Sequence, residues 1–153
     1  MSPRTIQIRI PSTYADCAVV REVLPLVAAG MPFSRRTLLQ LEICLAEALH
    51  NVVRHGYAGR DDGTIDVSFR IFDARLEIEI VDRGAPMPEP ARRSIAGADR
   101  ITARAERLAD LPEGGFGIPI LRTVLDDVAY RRDGDRNILT MTKHAREESA
   151  ASA

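Results

Sequence analysis

Apolar and polar residues alternate from Thr5 to Ile10, with Ile6, Ile8 and Ile10 in phase, which is the period of a half-buried strand. Pro11 ends that strand, and Ser12 or Thr13 offers an N-cap for a helix running to about Ala29 and stopped by Gly30. Pro25 lies inside the helix and predicts a bent or tightened last turn. Ser34 offers a second N-cap. From Arg35 to about His55 the pattern changes to steps of three and four, so Leu38, Leu41, Leu45, Leu49 and Val52 form the core stripe of a long helix. Gly56, Gly59 and Gly63, with Asp61 and Asp62, read as the loop that follows.

Two further strands alternate cleanly. Ile65, Val67, Phe69 and Ile71 share one face, and Leu76, Ile78 and Ile80 repeat the pattern after a turn at Asp73-Ala74, which predicts an antiparallel hairpin. Gly84 to Gly115 is weakly apolar and punctuated by Pro86, Pro88, Pro90 and Pro112. A segment of that length is the mark of a lid or mobile loop, here with a modest helix over Ile101 to Leu108. A short helix is expected from Gly117 to Leu125. A strand through Val128 and Tyr130, a turn at Asp133-Gly134 and a return strand from Asn137 to Lys143 complete the pattern. Helices group with helices and strands with strands, so the class is α+β, a mostly antiparallel sheet with helices on one face. The regular alternation of a doubly wound fold is missing. The reading is one domain over residues 1–145, with a lid at about 85–114 and a flexible tail at 146–153.

Composition narrows the function classes. The chain has 153 residues, 45% hydrophobic and 28% charged, the balance of a globular domain that needs no staple. Its 21 basic and 22 acidic residues leave a formal charge of -1, without the basic excess of a nucleic-acid binder. Aromatics are 5% and Trp is absent, so a base-stacking platform is not expected. Cys17 and Cys44 lie apart in apolar contexts and read as buried, reduced thiols. His50 and His55 are turned about 140° from each other on a helix, which does not suit a shared metal. Neither a signal-peptide run nor a membrane span is visible, and the expected location is the cytoplasm.

Three polar clusters are not explained by the core. Glu47, Asn51 and His55 recur at steps of four on the long helix and share a face roughly opposite the leucine stripe. A carboxylate and an amide oxygen one turn apart suit a hydrated Mg2+ and a polarised hydroxyl; the same residues also suit a solvated face. Asp82 closes an apolar strand and is followed by Arg83 and Gly84. That arrangement can accept a bond from an exocyclic amine, and it is equally ordinary turn chemistry. Glu113-Gly114-Gly115-Phe116-Gly117 enters a helix, where converging amides and the helix dipole make an anion cradle or merely a glycine-rich turn. It is not a GxxxxGK[ST] loop, and no lysine follows.

Taken in order, these clusters over about residues 5 to 143 resemble the GHKL ATPase superfamily and its Bergerat nucleotide fold, a two-layer sandwich of helices on a mostly antiparallel mixed sheet. Glu47 and Asn51 match its N box. Asp82-x-Gly84 and Gly115-x-Gly117 match its two glycine boxes. Within the superfamily the chain is most similar to the bacterial anti-sigma-factor serine kinases. That likeness is carried by the run from Ala46-Glu47-Ala48 through Asn51 to His55-Gly56-Tyr57, by Leu111 to Gly117, and by Met141-Thr142-Lys143.

The resemblance implies a function and a role for each matching position. The implied activity is an ATP-dependent protein serine kinase and anti-sigma factor in a partner-switching pathway. It would phosphorylate a serine of a STAS-domain anti-anti-sigma protein, sequester a sigma factor and form a homodimer, with no direct contact to nucleic acid or membrane. ATP and Mg2+ are the implied cofactors. Glu47 is then the general base and Asn51 the metal ligand. Asp82 takes the adenine amino group, Gly84 allows close approach and Thr142 completes the adenine end. Amides at Gly114, Gly115 and Gly117 hold phosphate, with Arg100 and Arg104 in the lid within possible reach. The departure from the family pattern is Ile118-Pro119, which can remove one amide from the cradle. The alternative is an ATP-binding switch that binds a STAS partner without kinase activity or without a sigma target.

Overall fold

A computed structural model describes residues 2–96 and 117–146. β1 (Arg4–Pro11) leads into α1 (Tyr14–Val27), which Thr13 caps by accepting from the Asp16 amide at 3.1 Å. The other candidate cap, Ser12, instead bonds the Arg60 carbonyl and the Gly63 amide. α1 stops at Val27, short of the expected Ala29. Beyond Pro25 the Ala29 amide reaches back three residues to Leu26, a tightened turn, and Gly30 reverses the chain at φ +85°.

α2 (Arg35–Asn51) is capped by Ser34 and buries Leu41, Cys44, Leu45, Ala48 and Leu49. Leu38 and Val52, expected in the core stripe, are only half-buried. The α-helix ends four residues before His55, because Val52–Gly56 widens into a π-helical turn. The uniform rotation that placed His55 above Asn51 is lost there, and His55 is exposed.

β2 (Thr64–Ile71) and β3 (Arg75–Asp82) form the expected hairpin. After β3 the chain enters α3 (Glu89–Ala96), a helix inside the segment read as a lid. Pro88 and Pro90 flank its first residue, so prolines that looked like breakers mark its start. The helix expected over Ile101 to Leu108 lies outside the described residues. α4 (Gly117–Val124), β4 (Asp127–Asp133) and β5 (Arg136–His144) follow.

The five strands lie in the order β1-β2-β3-β5-β4, and every ladder among them is antiparallel. β3 and β4 run in the same direction with β5 inserted between them, a split crossover spanned by α3 and α4. One face of the sheet is the core, with Ile65, Val67, Phe69, Leu76, Ile78, Ile80, Leu139 and Met141 against α1 and α2. Cys17 and Cys44 are free and buried there, and burial pushes their thiols up to about 11 and about 12. No helix among the described residues is long and apolar enough to cross a membrane. Of the expected tail, Arg146 bonds Asp126 at 3.1 Å, and residues 147–153 lie outside the described part.

Candidate functional site

Asp82 is the last residue of β3, on the face shared with Leu76, Ile78 and Ile80, so alternation delivers a carboxylate to the edge of an apolar layer. It is 6% exposed. The Gly84 amide and the Asn137 side-chain amide both donate to its Oδ1, each over 2.9 Å, leaving Oδ2 outside these two bonds. Burial pushes the Asp82 carboxyl above its usual range, against the opposing pull of Asn137, the Gly84 amide and the charge of Arg132.

Asn137 stands opposite Asp82 in the β3–β5 register and is 3% exposed. Its Oδ1 accepts from the Tyr130 hydroxyl and from Arg132, both at 2.8 Å. Its Nδ2 donates to Asp82 and to the carbonyls of Gly84 and Ala85, at 3.0 and 3.3 Å. Every polar atom of this buried amide is therefore used. The sequence reading missed Asn137, because only the cross-strand register reveals it.

The Asp82-Arg83-Gly84 corner is held from the helix side as well. The Ala85 amide donates to the Gly56 carbonyl at 2.7 Å, at the end of the π-helical turn that follows α2. The Arg83 amide donates to the Tyr57 hydroxyl at 3.0 Å, and that hydroxyl donates to the Thr64 carbonyl at 2.7 Å. The strand-end carboxylate and the Glu47/Asn51 helix are thus one connected wall. Gly56 follows Asn51 by five residues and Glu47 by nine.

Glu47 and Asn51 are both half-buried, one turn apart at the end of α2. Among the described residues no group of three or more His, Cys, Asp or Glu side chains converges as a metal cage. The Asn51 amide oxygen, one turn from the Glu47 carboxylate, is a hard donor that would suit a cation such as Mg2+ drawing its other ligands from phosphate and water.

Gly114 and Gly115, with Glu113, Phe116, Arg100 and Arg104, lie outside the described residues. Gly117 is the first residue of α4, and α4 packs against α2. Pro119 falls in the first turn of α4, where an amide has no partner within the helix. Lys143 of β5 holds the other end of α4 by donating to the Val124 carbonyl at 2.7 Å.

Thr142 is not brought to this site. It pairs with Glu77 and Asp127, whereas Asp82 pairs with Asn137. The separation along β5 is about 17 Å at roughly 3.4 Å per residue. Strand alternation also turns Thr142 away from the face of Met141 and Asp82. Its assignment to the adenine end is corrected, and the residue that the register places beside Asp82 is Asn137.

The chain resembles known proteins over most of its length. The family described as "Histidine kinase-like ATPase domain" matches residues 10–143. The serine-protein kinase RsbW of Bacillus cereus (strain AH820) is 32% identical over 143 residues, 94% of this chain and 86% of that protein. The RsbW of Bacillus mycoides (strain KBAB4) is 31% identical over the same share. Among solved structures, the SiaB–SiaC complex from Pseudomonas aeruginosa aligns with a TM-score of 0.64 at 11% identity, over 90% of this chain and 88% of that one. The RsbU and RsbW domains of Rv1364c from Mycobacterium tuberculosis align with a TM-score of 0.60 at 16% identity. That alignment covers 92% of this chain and 32% of that longer one. At these identities the solved structures speak for the fold.

Proposed function

The chain belongs to the histidine kinase-like ATPase family, and from that premise we propose that it is an ATP-dependent protein serine kinase and anti-sigma factor of a partner-switching pathway. Its substrate is a serine of a STAS-domain anti-anti-sigma protein, and its second partner is a sigma factor. The observation that carries the reading is the buried Asp82 carboxylate, anchored through one oxygen and joined by its glycine corner to the helix that bears Glu47 and Asn51. The identity to serine-protein kinases over nearly the whole chain supports it.

Each residue has a task in that chemistry. Asp82 accepts a hydrogen bond from the exocyclic amine of adenine, and the glycine corner lets the ring approach the backbone. Asn51 is the residue that would hold Mg2+, with the phosphates supplying further oxygens. Bound Mg2+ supplies charge neutralisation on those phosphate oxygens. Amides at Gly114, Gly115 and Gly117 complete the phosphate cradle. Glu47 takes the proton of the attacking serine hydroxyl. Phosphoryl transfer asks chiefly for positioning and charge neutralisation, and these groups provide both without a P-loop lysine. New phosphate on the partner lowers its affinity by repulsion and desolvation, freeing the kinase for the sigma factor. The outer edge of β1, free of partners among the described residues, suits pairing with a second copy.

The test is a phosphotransfer assay with Mg·ATP and a STAS-domain protein encoded beside this gene. Serine phosphorylation of that protein is the expected result. Binding of ATP and partner without transfer would overturn the kinase reading and favour a nucleotide-dependent switch.

A further inference from the structure

The segment that leaves the Asp82 corner has few ways to be held. It runs Ala85-Pro86-Met87-Pro88 before α3, and its two prolines have no amide hydrogen. Only Ala85 and Met87 can donate from the backbone. The Ala85 amide is taken by the Gly56 carbonyl, and the Met87 amide donates to the Tyr130 hydroxyl at 3.0 Å.

A phenol has one proton, and Tyr130 spends it on Asn137 Oδ1. The direction of the whole chain of bonds follows. Tyr130 and Arg132 both donate to Oδ1, so the Asn137 amide must present Nδ2 to Asp82 and to the Gly84 and Ala85 carbonyls. The opposite orientation would set an oxygen against three acceptors and a nitrogen against the Arg132 guanidinium, which can only donate. With Nδ2 fixed on Oδ1 of Asp82, the other carboxylate oxygen is the one left for a ligand. Tyr130 comes from β4, packs half-buried against the core, and has no direct bond to Asp82.

We infer that Tyr130 is a positioning residue for the nucleotide site: through Asn137 it fixes which oxygen of Asp82 receives the base, and through the Met87 amide it ties that choice to the segment entering α3. The inference rests on the reading of Asp82 as the adenine acceptor. It predicts that occupancy of the base site and order at Met87 rise together, because both depend on one hydroxyl.

Tyr130→Phe keeps the ring and deletes only that hydroxyl. ADP and GDP, each with Mg2+, are titrated calorimetrically into wild type and variant. Amide hydrogen exchange over residues 82–96 is followed with and without ADP. Wild type is expected to prefer ADP and to protect the Met87 amide when ADP binds. The variant is expected to bind ADP about tenfold more weakly, the loss that one or two ordinary hydrogen bonds would produce. Its ADP-over-GDP preference should narrow, and the ADP-dependent protection of Met87 should vanish while that of Gly84 persists. A variant that melts earlier yet keeps the wild-type preference and Met87 protection overturns the inference, leaving Tyr130 a structural residue. Wild-type protein that binds neither nucleotide overturns the reading of Asp82 itself, an outcome separable from the first because it needs no variant.

Discussion

Gly84 lies with its backbone against that of Gly56. A methyl group added at Gly84 would come within 2.7 Å of the Gly56 Cα and overlap its carbonyl, while the neighbouring Ala85 amide bonds that same carbonyl. Because the obstacle is backbone, a larger residue can be accommodated only by separating the strand-end corner from the end of the long helix. Gly84→Ala should cost about 1–3 kcal/mol, the range for overpacking a tight contact. It should also weaken nucleotide binding, because Asp82 moves with the corner. Gly30→Ala is the control. Gly30 has φ +85° with open space around its missing side chain, so that change strains the backbone without touching the site. Thermal melting with ADP titration separates the two: both variants melt earlier, and only Gly84→Ala loses ADP affinity.

Asp82→Asn tests the carboxylate. The asparagine oxygen can keep the bonds from the Gly84 amide and Asn137, but its nitrogen then faces the adenine amine, donor against donor. Loss of a bond to a charged acceptor, about 1.5–3 kcal/mol, corresponds to roughly ten- to hundredfold in affinity. The free protein should be no less stable, since a desolvated charge has been removed. A stable protein with strongly reduced ADP affinity by calorimetry is the expected outcome; unchanged affinity removes Asp82 from the base site.

The same residue sets a pH dependence. Burial raises the Asp82 carboxyl in the folded protein above its usual 3.8. The folded state therefore holds this proton more tightly than the unfolded chain does. The resulting stabilisation is fully present below 3.8 and is lost as the pH rises through the raised folded value. Ligand affinity has the opposite sign, because adenine needs the ionised acceptor. Denaturant melts of wild type and Asp82→Asn across acid to neutral pH isolate the effect: the stability of wild type relative to the variant should fall as the pH rises. ADP affinity of wild type should weaken on acidification at a pH above the ordinary aspartate range.

Much of this site was legible because its parts are local. Alternation in β2 and β3, the glycine corner after Asp82 and the four-residue step from Glu47 to Asn51 each lie within one element, where periodicity carries the information. What escaped depends on pairing between distant elements. Asn137 gains its meaning from lying opposite Asp82, and Thr142 loses its proposed one through the same register. Tyr57 stands in the sequence only as part of the run that carries the family resemblance and Tyr130 only as a strand residue, and their hydroxyl partners reveal a further task. The helix Glu89–Ala96 inside the segment read as a lid escaped because Pro88 and Pro90 signal a break and a helix start equally well. The π-helical turn after Asn51 has no periodic signature of its own, so His55 was carried one turn too far.

Asn51→Ala should separate metal from base. The variant removes the amide oxygen that would hold Mg2+ and leaves the Asp82 corner intact. In the absence of divalent cation, ADP affinity should match wild type. Adding Mg2+ should strengthen binding in wild type and leave the variant unchanged. A variant that responds to Mg2+ as wild type does removes Asn51 from the metal site.

Glu47→Gln tests the chemical step. Glutamine preserves the size of the side chain and a carbonyl oxygen, so the helix and its contacts in the core should be undisturbed, but it cannot accept a proton. Positioned general bases contribute about 10²–10⁴ in rate. Phosphotransfer to the STAS partner should therefore fall by that factor while ADP affinity and partner binding change less than about threefold. Single-turnover transfer from Mg·ATP, measured beside calorimetric binding, reports both quantities. A variant that binds and transfers as wild type does would leave the proton to solvent and reduce Glu47 to part of the helix surface. One that loses binding as well would place Glu47 among the groups that hold the nucleotide. Only selective loss of transfer is the signature of a base, because only the transition state needs the serine proton to leave.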